Sequence, residues 1–144
     1  MKKLIKYVSL SFLAGTMFSC SLDKQFNVDQ NLDYCANQAL KTLEILPLDT
    51  PNIPRNIIDS TGNWRYVNYK DWTSGFWAGQ LWYAYEGTGN EKLKNEAIRF
   101  TSDLYNLSVE PAFDHDLGFQ VFNSYGHGYR LTGNEESWYH FILA

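Results

Sequence analysis

The heptapeptide YEGTGNE at residues 85–91 returns as YRLTGNE at residues 129–135, 44 residues further on. Each copy has the grammar of a joint between two helices. Gly89 and Gly133 can take the left-handed conformation that closes a helix, Asn90 and Asn134 can cap the next one, and Glu91 and Glu135 complement its positive end. A repeat of this length describes a stack of helical hairpins, each burying its apolar face against its neighbours. Chance recurrence of a common turn is the competing explanation, and the shared Tyr, Thr, Gly, Asn and Glu in register weaken it. Neither copy has the Trp, Leu-Gly and Tyr spacing of tetratricopeptide repeats.

Such a stack can be an open solenoid or a closed double-helical toroid. In a toroid the loops leading into the inner helices converge on one mouth. DWTSGFW, beginning at Asp71, and HDLGF, beginning at His115, open alternate helices, and Trp72 and Asp116 are again 44 residues apart. Equivalent placement on neighbouring hairpins favours the toroid. The expected fold is therefore all-α, a stack of helical hairpins closing as a double-helical toroid.

Apolar spacing supplies the other elements. Leu32, Cys35, Ala36, Ala39, Leu40, Leu43 and Leu46 form the stripe of a first helix that Pro47 ends. Cys35 on that stripe reads as a buried structural thiol. Three prolines and an STGNW turn then predict a long functional loop with one short strand at most. A second helix starts at Thr73 or Ser74 as N-cap and ends at residues 87–89. A third follows Asn90 with Leu93, Ala97, Phe100, Leu104 and Leu107 on one face. A fourth runs from Leu117 or Gly118 to Leu131, and a fifth begins after residues 132–134.

The first 20 residues read as a leader: Lys2, Lys3 and Lys6, an apolar run too short to span a bilayer, then Ser19-Cys20. A closing cysteine is the mark of a bacterial lipoprotein signal, with Cys20 lipidated, although Met17 and Phe18 depart from the usual lipobox. Ordinary cleavage nearby, leaving Cys20 a thiol, is the alternative. Residues 21–31 then form a tether, and the folded body begins at residue 32. The expected location is the periplasm or outer membrane, held by the lipid alone. Without the three leader lysines, the 12 basic side chains fall to 9 against 16 acidic ones, a net of −7. That surface argues against nucleic acid, whose phosphates need a basic footprint, while one or two local cations suffice for a small anion. The oligomeric state is left open.

Asp116 is the strongest candidate for chemistry. At a helix start a carboxylate ordinarily caps the backbone. To act as an acid it needs a second carboxylate or an apolar wall. Both readings stand on spacing alone. His115 and His127 match no helical metal-ligand spacing, and no Cys or His cluster completes a shell; hydrogen bonding is the simpler role. Trp72 can stack on the apolar face of a sugar or pack into the core. Arg65 and Arg130 could meet a ligand carboxylate but are assigned no role. No nucleophile elbow, phosphate loop or dinucleotide fingerprint occurs.

DWTSGFWAGQLWYAYEGTGNE, followed by HDLGF and SYGHGYRLTGNE, resembles the amino-terminal part of the unsaturated glucuronyl hydrolases, glycoside hydrolase family 88. The resemblance is dense over residues 71–135 and looser back to Leu32. It implies that residues 32–144 are the amino-terminal part of a catalytic domain, a partial six-hairpin (α/α) toroid containing only roughly its first hairpins, and it implies the removal of a 4,5-unsaturated uronic acid from the non-reducing end of lyase-generated oligosaccharides. There an aspartic acid protonates C4, water adds at C5 and the hemiketal collapses. It implies no metal or organic cofactor. On this resemblance Asp116 matches the first of two catalytic aspartates, His115 the histidine beside it, and Trp72 the tryptophan lining the substrate subsite. Asp114 departs from the histidine some members carry. Family proteins run well over twice this length, and their second aspartate lies on a later hairpin. The resemblance therefore expects an inactive fragment with an exposed apolar edge. A non-catalytic glycan-binding surface lipoprotein is the alternative.

Overall fold

The computed structural model describes residues 27–47, 52–113 and 115–144. Cys20, the leader, the tether up to residue 26, and Asp114 lie outside the described residues. Helix α1 (Val28–Ile45) is followed by strands β1 (Ile53–Ile57) and β2 (Trp64–Val67), then α2 (Ser74–Thr88) and α3 (Glu91–Ser102). A short 3-10 turn at Tyr105–Ser108 precedes α4 (Leu117–Val121). The backbone passes through a π-helical turn, Phe122–Gly126, straight into α5 (His127–Thr132), and α6 (Glu135–Leu143) follows. No helix among the described residues is long and apolar enough to cross a membrane.

The repeated heptapeptide does in both places what its residues predict. Gly89 and Gly133 each take φ of 67° and donate their N–H to Tyr85 and Tyr129 respectively. The side chains of Asn90 and Asn134 accept from the backbone of Lys92 and Ser137. Thr88 and Thr132 both donate to a carbonyl one turn back, at 2.6 Å. At the next position, Glu86 and Arg130 pair with each other across the repeat through two bonds of 2.6 and 2.7 Å. The joint is thus built twice, and its two copies are clipped together.

Helix α2 is the centre of the molecule. Ser74, Gly75, Trp77, Ala78, Gly79, Leu81, Trp82 and Ala84 are all buried, so it is enclosed on nearly every side. It packs on α1, α3, α4 and the π-helical turn. Leu93, Ala97, Phe100, Leu104 and Leu107 line α3 and its extension as expected, and the Trp82 indole donates to the buried Thr101 hydroxyl at 3.0 Å. On the far side of α2 the approach is closer still. A Cβ on Gly75 would stand 2.1 Å from the Gln120 carbonyl oxygen, and one on Gly79 would stand 3.1 Å from Asn123.

Several expectations need correction. Helix α1 starts at Val28, capped by Asn27, so the last stretch assigned to the tether is helical. Cys35 is exposed: α1 turns Ala36 and Ala39 inward against α2, and Cys35 falls just off that stripe. The loop before α2 contains two strands, paired antiparallel, with Arg55 as the extra residue of a bulge between Pro54 and Asn56. Thr73 stands at the N-cap of α2 without a side-chain bond to the helix. Phe119, Phe122, Trp138, Tyr139, Ile142 and Leu143 leave an exposed apolar edge along α4 to α6.

Gly75→Ala should cost about 1–3 kcal/mol or more, because the collision is with backbone. Gly118→Ala, where nothing lies within 4 Å, should be neutral or gain up to about 1 kcal/mol by relieving glycine in a helix. Urea unfolding of the two variants checks the contrast.

Candidate active site

The starts of α2 and α4 are held together by one buried side chain. Gln120, fully buried, donates its amide to the Tyr69 carbonyl at 2.8 Å, the Asp71 carbonyl at 2.8 Å and the Ser74 hydroxyl at 2.9 Å. The loop carrying Trp72 is thereby fixed against the helix that Asp116 opens, one turn before Gln120. Ring contacts continue the link: Trp72 meets Phe76 edge-on at 5.8 Å, and Phe76 meets Phe119 at 6.3 Å.

Asp116 occupies the N-cap position of α4, yet its carboxylate makes no capping bond; its backbone carbonyl instead accepts from Phe119 at 2.9 Å. The side chain is about a quarter exposed (24%), and the strongly exposed His115 ring stands 3.7 Å from it. Beside them His115, Gly118, Phe119, Phe122 and Asn123 line an open, mainly apolar cleft of about 340 Å³. Trp72 is exposed, which fits a stacking surface better than the core. The structure thus brings Trp72, His115 and Asp116 to one end of adjoining helices.

Sequence reasoning missed the group that orders the loop. Asp71 accepts from the Thr73 backbone at 2.9 Å and its hydroxyl at 2.6 Å, and pairs with Arg55 at 3.4 Å. Partial burial pushes its carboxyl up, but the Thr73 bonds and the charges of Arg55 and Arg65 together outweigh that and hold it below the ordinary range. Arg55 also lies 6.0 Å from the Trp72 ring centre. Two signals pointed here: a proline inside a strand, which goes with bulges and edges, and a lone amide within the apolar run of α4, which must find partners when buried.

His127 is kept apart from the site. It is buried under Tyr83 and Phe122, whose rings lie 4.5 and 5.2 Å away, and accepts from Arg130 at 3.3 Å. Arg130 is itself committed to Glu86. Burial, and then the Arg130 charge, lower the His127 pKa, with Glu86 opposing.

The fold defines the class first: helical hairpins arranged as part of an α/α toroid, with acid and aromatic side chains at the starts of two inner helices. Within that class the likeness is to the unsaturated glucuronyl hydrolases. The chain is 38% identical over 82 residues to an unsaturated glucuronyl hydrolase of Formosa agariphila, matching 57% of this chain and 20% of that protein. It is 40% identical over 73 residues to an unsaturated chondroitin disaccharide hydrolase of Streptococcus agalactiae, matching 49% and 18%. The crystal structure of an unsaturated glucuronyl hydrolase specific for heparin superimposes with a TM-score of 0.69 at 34% identity, over 78% of this chain and 29% of that one. No family model matches. The match spans about a fifth of the length of these curated relatives, which fits the amino-terminal part that the motifs indicate.

A histidine whose folded pKa is depressed favours the folded state above the unfolded value and penalises it as protons are taken up. Melting temperature should therefore fall as the pH drops below the unfolded histidine value of about 6.5 and His127 is forced to charge. His127→Phe should flatten that part of the profile in thermal scans.

Proposed function

We propose that this chain forms part of a hydrolase acting on 4,5-unsaturated uronic acid at the non-reducing end of lyase-generated oligosaccharides. The observation that carries the proposal is the locking of Trp72 and Asp116 at the starts of adjoining inner helices by Gln120 and Gly75, in a fold shared with an enzyme 34% identical. Trp72 stacks on the apolar face of the unsaturated ring, and His115 donates to a hydroxyl or carboxylate of the sugar. Protonation at C4 places positive charge on C5 and the ring oxygen. Asp116, facing that carbon, stabilises the charge as it forms. Water then adds at C5, and the hemiketal opens to release the remaining glycan. The acid/base aspartate of this scheme comes from a later hairpin. Export as a lipoprotein through Cys20 belongs to the same proposal and rests on the leader pattern of Lys2, Lys3 and Lys6, the apolar run and Ser19-Cys20.

The alternative is a glycan-binding lipoprotein that uses the same aromatic mouth without turnover. Mature protein carrying Cys20 should yield a lipid-modified amino terminus by mass spectrometry, and Cys20→Ala should abolish the modification.

Loss of the ultraviolet absorbance of the double bond should accompany turnover when the chain is joined to hairpins completing a relative's full length. Asp116→Asn should lower that rate by about 10²-fold or more while the melting temperature changes little. Trp72→Ala should raise the dissociation constant for the disaccharide several-fold. Binding with no loss of absorbance would favour the glycan-binding reading, and a wild-type rate in Asp116→Asn would remove Asp116 from the chemistry.

A further inference from the structure

Between α3 and α6 lies a cavity of about 170 Å³ that shares no lining residue with the cleft at the mouth. Its floor is made by Trp82, Thr101, Tyr125 and His140, all buried. The Trp82 indole N–H and the Thr101 hydroxyl already serve each other. The other two side chains end in polar atoms that the protein does not match. Tyr125 is 4% exposed and His140 8%, and neither the Tyr125 hydroxyl nor His140 Nε2 has a hydrogen-bond partner among the described residues. Unlike the sealed-in Nε1 of Trp77 and Nε2 of His127, both atoms keep accessible surface. Polar atoms at the floor of a cavity call for a partner that enters it.

The chemistry of the two atoms is set by their neighbours. The Ser108 hydroxyl donates its one proton to the Tyr105 carbonyl at 2.8 Å. Its contact with His140 Nδ1, also at 2.8 Å, is therefore a bond that the ring donates. That leaves the lone pair of the neutral imidazole on Nε2. Burial first, and then the charge of Glu136, pushes the Tyr125 phenol up, so it remains a donor. A donor and an acceptor thus stand side by side, on rings whose centres are 5.2 Å apart. Tyr125 is presented by the π-helical turn Phe122–Gly126, a widened kind of turn that recurs at functional sites.

The walls decide the class of ligand. Ile98 and the half-exposed Tyr105, whose ring stands edge-on to His140 at 5.1 Å, offer apolar surface that water alone does not use. Lys94 and Glu136 bring opposite charges to the rim, and Lys94 is paired with Glu91 at 3.2 Å, so neither sign of ion is favoured. The volume is about half of the ~300 Å³ at which sites for drug-sized ligands begin, which suits a single ring. We propose that this cavity binds an uncharged sugar residue: Tyr125 donates to one hydroxyl, His140 Nε2 accepts from another, and Tyr105 covers the apolar face of the ring. Each sugar hydroxyl can donate and accept, and the C–H face between them matches an aromatic wall. The inference does not rest on the reading of the mouth, because Trp72, His115 and Asp116 lie outside this cavity.

Long-range ¹H–¹⁵N spectra of the imidazoles test this on the chain, with glucose, galactose and N-acetylgalactosamine titrated separately. At least one of them should shift the His140 Nε2 resonance, assigned by its disappearance in His140→Gln, and the shift should saturate in the millimolar range while His115 stays in place. Tyr125→Phe should weaken this binding about fivefold, and Tyr105→Ala at the exposed rim should do the same with little change in melting temperature. If Tyr125→Phe melts far below the parent chain, Tyr105→Ala decides alone. No saturable shift with any of the three sugars overturns the proposal. So does a shift that the folded variants leave unchanged, or one confined to His115, which would place the sugar at the mouth. An equal response to sodium sulfate or methylammonium chloride would overturn the uncharged class of ligand.

Discussion

At Gly75 the backbone of one inner helix lies against the Gln120 carbonyl of the next, closer than any side chain would permit. The rest of the mouth depends on this approach. With the helices so near, the Gln120 amide can reach past α2 to the Tyr69 and Asp71 carbonyls, which also accept from the Ser74 hydroxyl and the Ser74 backbone N–H respectively. Those bonds fix the loop that carries Trp72. Asp71, on the same loop, then organises Thr73 on one side and Arg55 on the other. A single missing Cβ is thus the condition for a chain of polar contacts running from α4 to the β-hairpin.

The repeat supplies the second constraint. Each joint satisfies its own helix ends with glycine, asparagine and threonine, so its geometry is set locally and recurs faithfully. Successive hairpins then superpose by a fixed step, and residues at equivalent positions become neighbours. Glu86 and Arg130 show this directly, since opposite charges at equivalent positions meet in a bidentate pair. Exposed on both sides, that pair contributes on the order of 0.2–1 kcal/mol; its use is in fixing the register between repeats. The same step carries Trp72 and Asp116 to adjoining places at the mouth. Fold and site therefore have one geometrical origin.

Much of this was legible in the sequence, because it is local. Cap residues act within one turn of where they stand, and apolar spacing reports the buried face of α3 directly, so the joints at residues 85–91 and 129–135 and the order of the helices followed from residue types alone. The 44-residue step put Trp72 and Asp116 at equivalent positions of neighbouring repeats for the same reason. The family motifs lay in the same stretches, and the similarity to unsaturated glucuronyl hydrolases agrees with them.

What only the tertiary structure decided were matters of contact between segments distant in the chain. Cys35 reads in the sequence as part of the apolar stripe of α1 and is nevertheless exposed, because α2 covers the side that carries Ala36 and Ala39 and Cys35 falls just off it. Gln120 reads as a polar interruption in an apolar run until its partners, some fifty residues earlier, come into view. The β-hairpin hid behind three prolines, and its bulge sets Arg55, which no motif singled out, 6.0 Å from the Trp72 ring centre. Sequence fixes what each segment tends to be, since propensity and capping are short-range. Which donor ends without a partner, and which cation faces which ring, depends on how those segments pack.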